Sequence, residues 1–207
     1  TMNGKDGKPF KAREGGVMRL EYLLEEVYEE MLGKISENKE MSVEEAKKTA
    51  EIVALSAVKY GDLSNQASKD YIFDIQRFTS SEGNTGVYLL YTMVRIKSIL
   101  NKYREQGGKM EKTQIAVTGN ESAKELMKAV AGFGAMIENA YLETAPHKVC
   151  AYMYDLANAL NHFYHETKIL TQENEAEKSA YIALLALTLR VMEECIGLLG
   201  FSAPERM

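Results

Sequence analysis

The segment from about Ala176 to Leu199 constrains the fold most, because apolar residues cover nearly its whole circumference if it forms a helix. Two opposite faces are apolar at helical spacing: Ile182, Leu185, Leu189, Met192 and Ile196 on one, Leu184, Leu187 and Val191 on the other. Such a helix is stable only when other helices surround it. The sequence therefore predicts an all-α fold, a helical bundle with this segment in its middle, and Gly200 as its C-terminal stop.

Helical periodicity recurs along the rest of the chain. Ser42 and Glu45 have the spacing of a capping box, and Pro146 suits the first turn of a helix. The stretches 60–81 and 106–121 are polar or irregular, so we expect short pieces and a loop there. The predicted helices cover about 17–37, 42–59, 122–142 and 176–199, with one more that follows the turn at 83–86 and ends near 105, and one that begins at Pro146 with an apolar stripe to Phe163.

Composition limits the partners of the chain. The 207 residues carry 25 basic and 30 acidic side chains, a net charge of −5, so no global positive field attracts nucleic acid and we expect no DNA partner. A local basic surface remains possible where positive residues cluster, at Arg95, Lys97, Lys102, Arg104, Lys109 and Lys112. No apolar run approaches the roughly 20 residues of a membrane span. We expect no membrane partner, a cytoplasmic location, and buried reduced thiols at Cys150 and Cys195.

Candidate catalytic and metal sites are weak. His162 and His165 lie three apart on a helix and Glu166 follows, but a metal site needs a further ligand and an outer shell of partners, so we predict no metal. No Gly-x-Ser-x-Gly elbow marks a nucleophile. The turn Gly83-Asn-Thr-Gly86 lacks the Lys-Ser/Thr of a phosphate loop, which favours a tight turn with a helix cap.

The helix that follows this turn has two separate faces. Its apolar face comprises Leu89, Met93, Ile96, Leu100 and Tyr103, and its other face comprises Tyr88, Tyr91, Arg95 and Lys102. Tyrosine rings stack on unpaired bases, and arginine contacts phosphates and base edges. The second face is therefore a candidate platform for single-stranded RNA, although tyrosines at this spacing also occur where helices pack against one another.

Five stretches strongly resemble arginyl-tRNA synthetases, class I aminoacyl-tRNA synthetases, and appear in that family's order. One is Ser-Glu-Gly-Asn-Thr-Gly-Val-Tyr-Leu-Leu-Tyr-Thr-Met-Val-Arg-Ile-Lys-Ser-Ile-Leu over 81–100, which is similar to the junction of the catalytic and anticodon-binding domains. The others are Asp-Gly-Lys-Pro-Phe-Lys-Ala-Arg-Glu-Gly-Gly-Val-Met-Arg-Leu over 6–20, Lys-Tyr-Gly-Asp-Leu-Ser with Lys-Asp-Tyr-Ile-Phe-Asp over 59–74, Pro-His with Tyr-Met-Tyr-Asp-Leu-Ala-Asn-Ala-Leu-Asn-His-Phe-Tyr over 146–164, and Leu-Leu-Gly-Phe-Ser-Ala-Pro-Glu-Arg-Met over 198–207.

The resemblance implies a C-terminal fragment of a longer ligase. Residues 1–82 are then the tail of a catalytic domain, with Lys8, Lys11 and Arg13 as cations of its ATP loop, and 83–207 form a helical anticodon-binding domain. The His-x-Gly-His signature of class I synthetases is missing, and the histidines are His147, His162 and His165. ATP and Mg²⁺ are therefore expected as cofactors of the full-length parent, while the fragment alone binds none and is inactive as a ligase.

The resemblance also implies the tRNA-binding residues and the partner. The residues carried over from the family are Tyr88, Tyr91, Arg95, Asn161, Tyr164, Lys168 and Met207. Val87, Leu90 and Met93 stand where many family members have Pro, Gln and His, and we expect Leu90 and Met93 to remove polar groups from the RNA face. The implied partner is an arginine-specific tRNA, bound by a monomer.

Two alternatives stay open from the sequence. One is a helical adaptor that binds another protein through the tyrosine and arginine face. The other is a related RNA-binding module, either free-standing or the matching domain of another synthetase, such as the glycyl or cysteinyl enzyme.

Overall fold

The computed structural model describes residues 2–4, 7, 19–38 and 40–207, and within them the fold is mainly helical. Its elements in chain order are β1 (Met2–Asn3), α1 (Leu20–Ser36), α2 (Val43–Leu63), β2 (Tyr71–Ile72), α3 (Ile75–Phe78), α4 (Gly86–Glu105), a 3₁₀ turn (Met110–Lys112), α5 (Glu121–Ala131), α6 (Phe133–Leu142), α7 (Pro146–Glu166) and α8 (Glu175–Leu199). The predicted all-α class is confirmed.

Helices α1 and α2 form a hairpin. The buried face of α1, Leu23, Val27, Met31 and Ile35, packs on α2 at helical spacing. The predicted capping box is present, since the Glu45 amide donates to the Ser42 hydroxyl and the Glu45 carboxylate accepts from the Ser42 amide at 2.9 Å. Helix α2 continues to Leu63, beyond the predicted end at residue 59.

Short elements fill residues 60–81, as the sequence predicts. Strands β1 and β2 pair in parallel over two residues each, and α3 contributes the buried ring of Phe78. A Cβ on Gly61 would lie within 2 Å of an atom of the Phe78 ring, so only glycine lets α2 approach α3 this closely. These pieces cover the end of α2 that faces the start of α4.

Helix α8 lies in the middle of the bundle, which confirms the prediction from its apolar circumference. It packs against α2, α4, α5 and α7 and buries twelve of its residues. Asn174 caps its first turn by accepting from the amides of Ala176 and Glu177. Gly200 ends it in the left-handed conformation at φ +77°, where a side chain would be strained.

The single helix predicted over 122–142 is wrong, because the chain bends at Gly132 between α5 and α6. In an uninterrupted helix the Ala129 carbonyl would accept from the Phe133 amide. Here that carbonyl accepts from the Tyr152 hydroxyl of α7 at 3.0 Å and from the Gly132 amide at 3.2 Å. The competing bonds redirect the chain, and both short helices pack along α7. None of the described helices is long and apolar enough to cross a membrane.

Candidate nucleic-acid interface

The turn before α4 fixes where this helix starts and how it meets α2. Thr85 is the cap predicted there: its hydroxyl accepts from the Tyr88 amide at 3.0 Å and donates to the Ser80 carbonyl at 2.6 Å. A Cβ on Gly86 would lie 2.7 Å from the carbonyl oxygen of Ser56, so the absence of a side chain allows the first turn of α4 to touch α2.

A buried tyrosine ties this turn to two helices. The Tyr60 hydroxyl of α2 lies 2.6 Å from the Asn84 side-chain oxygen and 2.8 Å from the Cys150 carbonyl of α7. Burial raises the pKa of Tyr60, so its hydroxyl keeps its proton and remains a donor. The turn is therefore a rigid junction, and it holds the start of α4 against both α2 and α7.

The two predicted faces of α4 separate as expected. Leu89, Met93, Ile96 and Leu100 are buried in the core. Tyr91 is 40% exposed, whereas Tyr88 is half-buried and its ring packs at 5.8 Å from the ring of Tyr154 in α7. The expectation that Leu90 and Met93 alter an RNA face is wrong. Both are fully buried, because their positions on the helix point them toward the core.

A hydrogen-bonded network joins α4 to α7. The Tyr88 hydroxyl donates to the Asn158 side-chain oxygen at 2.8 Å and accepts from the Asn161 amide group at 2.7 Å. The Asn161 side-chain oxygen in turn accepts from the Arg95 guanidinium. The Asn161 side chain therefore fixes both Tyr88 and Arg95. Within this network, the Arg95 guanidinium contacts no described carboxylate.

Arg95 lies against an aromatic ring as well. Its Cζ is 5.1 Å from the centroid of the Tyr164 ring, a cation–π distance, and Tyr164 remains 39% exposed. We call Tyr88, Tyr91, Arg95, Asn161 and Tyr164 the tyrosine–arginine face. It presents two partly exposed rings and a guanidinium held in place from two sides, which suits stacking on unpaired bases and contact with phosphates.

The remaining predicted residues have different surroundings. Lys168 is exposed on the segment after α7, and no contact joins it to the tyrosine–arginine face. Met207 is half-buried and packs on the edge of the hydrophobic core. Lys8, Lys11 and Arg13 lie outside the described residues.

Two residues near this face were missed by sequence reasoning. Asn158 orients Tyr88, and its position one helical turn before Asn161 was the available signal. Lys97 looked like part of a basic surface. Its side chain is instead largely buried and holds the C-terminal segment, donating to the Pro204 carbonyl at 3.2 Å and to the Glu205 carboxylate at 2.6 Å.

Histidines of α7 form no metal centre within the part of the chain that the structure describes. His162 Nδ1 lies 2.9 Å from the Glu125 carboxylate of α5, and both side chains are more than half exposed. The ring of His165 meets the edge of Tyr164. Among the described residues no group of three or more potential ligands could hold a metal ion.

Family comparisons agree with this architecture. Residues 89–207 match the family model of the DALR anticodon binding domain, and residues 1–75 match that of the class I (R) tRNA synthetase catalytic domain. Curated relatives include the arginine–tRNA ligases of Agathobacter rectalis, 63% identical, and Alkaliphilus oremlandii, 47% identical. Both alignments cover all of this chain but only 36% and 35% of the relative, so the chain spans about a third of their length.

Solved structures share the fold. The arginyl-tRNA synthetase of Thermus thermophilus superposes with a TM-score of 0.86 at 24% identity, covering 100% of this chain and 34% of that protein. The arginyl-tRNA synthetase of Plasmodium falciparum gives 0.81 at 26% identity, covering 92% of this chain and 34% of that protein. The helical arrangement is thus common to distant sequences.

Proposed function

Because the chain belongs to the family of DALR anticodon binding domains, we propose that it recognises the anticodon loop of an arginine tRNA on behalf of a full-length arginine–tRNA ligase. The observation that carries the proposal is the tyrosine–arginine face. There Arg95 is fixed by Asn161 and lies over Tyr164, beside the exposed ring of Tyr91. The ligase names of the relatives support arginine tRNA as the partner.

The residues of the face have distinct roles in this proposal. Tyr91 and Tyr164 offer rings on which splayed bases stack, each stack contributing about 1–3 kcal/mol. Arg95 pairs with a phosphate or a base edge. Tyr88 and Asn161 act mainly by holding Arg95 and the helix pair in position, since their polar groups already bind each other.

Lys168 and Met207 remain proposed contacts at the margin of the surface. Lys168 is exposed and available to a phosphate, whereas Met207, half-buried, offers an apolar contact to a base. Neither belongs to the network that fixes Arg95.

The parent's chemistry is part of the same proposal. Residues 1–82 are the tail of its catalytic domain and 83–207 its anticodon-binding domain, a division supported by family matches that end at residue 75 and resume at 89. ATP, Mg²⁺ and arginine bind to the parent's catalytic domain, and Lys8, Lys11 and Arg13 supply the positive charges of its ATP loop. The chain alone binds no cofactor, is a cytoplasmic monomer, and has neither DNA nor a membrane as a partner.

The decisive experiment is a titration of the chain with two RNAs, an anticodon stem-loop of arginine tRNA and the same stem-loop with altered loop bases. We expect tighter binding of the first. Tyr91→Ala and Tyr164→Ala should each weaken that binding by about 1–3 kcal/mol. Tyr141→Ala is the matched control, since Tyr141 is an exposed tyrosine on α6 outside the face. Equal affinity for both RNAs, or no binding to either, refutes anticodon recognition.

Catalytic inactivity of the chain alone is tested separately. We expect no exchange of pyrophosphate into ATP in the presence of arginine. Measurable exchange from the purified chain would show that the amino-acid activation site lies within these 207 residues, against the proposed division of labour.

A further inference from the structure

A cleft lined by lysines lies where the end of α4 meets the start of α8. Its volume is about 410 Å³, and its walls are Tyr103, Gln106, Gly107, Gly108, Lys109, Lys112, Glu175 and Lys178. We call it the lysine cleft. Three ammonium groups and one carboxylate line it, so it is positive in a chain whose net charge is −5.

The positive charge of the cleft is only partly neutralised. Lys178 Nζ lies 2.8 Å from the Glu175 carboxylate, so these two charges offset each other. Lys109 and Lys112 are exposed and form no ion pair within the described part of the chain. Glu111, between them, does not line the cleft. Two positive charges are therefore available to an anionic ligand.

Two glycines shape the cleft. Gly107 has φ +84°, a left-handed conformation that reverses the chain after α4. At Gly108 an added Cβ would lie 2.4 Å from Cζ of Tyr103, so the turn backbone lies directly against this ring. The Gly108 amide also donates to the Tyr103 carbonyl at 2.9 Å. The segment that carries Lys109 is therefore fixed against the end of α4.

The lysine cleft lies beyond the tyrosine–arginine face, at the C-terminal end of α4. Gln106 follows Tyr88 by 18 residues, or five helical turns, and so lies on the same side of α4. From Tyr91 to Gln106 the helix rises about 22 Å. Helix α7 runs parallel to α4 along this side, because Tyr88 contacts Asn158 and Arg95 contacts Tyr164.

We propose that the lysine cleft binds phosphates of the RNA backbone that adjoins the loop read by the tyrosine–arginine face. The inference rests on the proposed function and adds a second, sequence-independent contact to it. Lysine ammonium groups neutralise phosphates and release bound counterions, which makes such a contact dependent on salt but not on base identity. The cleft thus supplies affinity, and the tyrosine–arginine face supplies discrimination between loops.

The test compares variants of the whole chain for binding to the arginine stem-loop and to the loop-altered stem-loop across a range of salt concentrations. Lys109→Gln with Lys112→Gln should weaken binding of both RNAs by the same factor. The salt slope should also fall by about 1 for each lysine that contacts a phosphate. Lys47→Gln with Lys48→Gln is the matched control, since both lysines are exposed on α2.

A third variant changes affinity in the opposite direction. Glu175→Gln releases Lys178 from its carboxylate, so it should tighten binding of both RNAs and steepen the salt slope. Partial unfolding of the cleft would weaken binding, whereas this variant is expected to bind more tightly. The direction of this change therefore separates a binding role from a structural one.

The outcomes distinguish this inference from the proposed function. If the unmodified chain binds neither RNA, or binds both equally, anticodon recognition fails regardless of the cleft. If the unmodified chain discriminates between the RNAs and the Lys109/Lys112 variant keeps the original affinity and salt slope, phosphate binding by the lysine cleft is refuted. Recognition of the loop then still stands. Equal losses of affinity in the Lys109/Lys112 and Lys47/Lys48 variants also refute phosphate binding by the cleft, because they would show that any lysine contributes through general electrostatic attraction.

Discussion

Asn161 should affect RNA binding mainly by holding Arg95 in position. Direct contact between Asn161 and RNA is not its main role. Its amide group donates to the Tyr88 hydroxyl at 2.7 Å and its oxygen accepts from Arg95. Asn161→Ala leaves the guanidinium held only by its contact with the Tyr164 ring, so it is less ordered in the unbound protein. Ordering such a side chain on binding costs about 0.5–1.5 kcal/mol. The dissociation constant should therefore rise about two- to twelve-fold.

The assay is fluorescence anisotropy with a labelled arginine stem-loop, and the control is Asn158→Ala. Asn158 also binds the Tyr88 hydroxyl, at 2.8 Å, but makes no hydrogen bond to Arg95. Both variants lose an amide from the same helix. Only Asn161→Ala should weaken RNA binding by more than about two-fold. Thermal unfolding of both variants then measures any loss of stability apart from binding.

A double-mutant cycle with Arg95→Ala identifies the cause. Residues in one hydrogen-bond network show non-additive effects, so Asn161→Ala should have little further effect once Arg95 is gone. An undiminished effect of Asn161→Ala in the Arg95→Ala background would refute the positioning role. So would an unchanged dissociation constant in the single variant.

Three further predictions concern the C-terminal segment, the thiols and a helix cap. Lys97→Gln should speed removal of the C-terminal residues by carboxypeptidase, because the side chain no longer binds that segment; an unchanged rate would count against an anchoring role. Burial raises the pKa of Cys150 and of Cys195 to about 12, so both thiols should resist alkylation at pH 8 and react promptly after unfolding in guanidinium. Hydrogen bonds from Ser42 lower the pKa of Glu45. The ionised carboxylate therefore stabilises the fold at pH values above the ordinary pKa of glutamate, and this contribution is lost as the pH falls through the lowered pKa. Urea titrations at several pH values should show that Ser42→Ala weakens this dependence of stability on pH.

Helical periodicity predicted the parts of the fold in which burial of an apolar helix face determines how the helix packs. The apolar faces of α4 and α8 are buried as expected, because residues three and four apart share one side of a helix. The same spacing predicted that Tyr91 lies outside the core. The proposed partner rests on the resemblance to arginyl-tRNA synthetases, because periodicity cannot identify a partner.

Helical periodicity cannot predict contacts between residues that are far apart in the sequence. The bend at Gly132 depends on the Tyr152 hydroxyl reaching the Ala129 carbonyl, 23 positions away. A glycine in a helical pattern is common and usually tolerated, so nothing local marked the break. Asn161 was assigned to the RNA surface, yet its hydrogen bonds to Tyr88 and Arg95 became visible only when α4 and α7 were placed side by side.

The cluster of positive charge over residues 95–112 shows why density of charge does not locate a binding site. In sequence its lysines and arginines are equivalent. In the structure Arg95 is fixed by an amide and a ring, Lys97 is committed to the C-terminal segment, and Lys109 and Lys112 line an open cleft. A side chain that already forms an ion pair within the protein gains little from a phosphate. A charged side chain without an ion pair gains its first one when RNA binds, and that gain determines how strongly it contributes to binding. The salt dependence of RNA binding should therefore arise from Lys109 and Lys112, and from Arg95 where it pairs with a phosphate, whereas loss of Lys97 should alter it little.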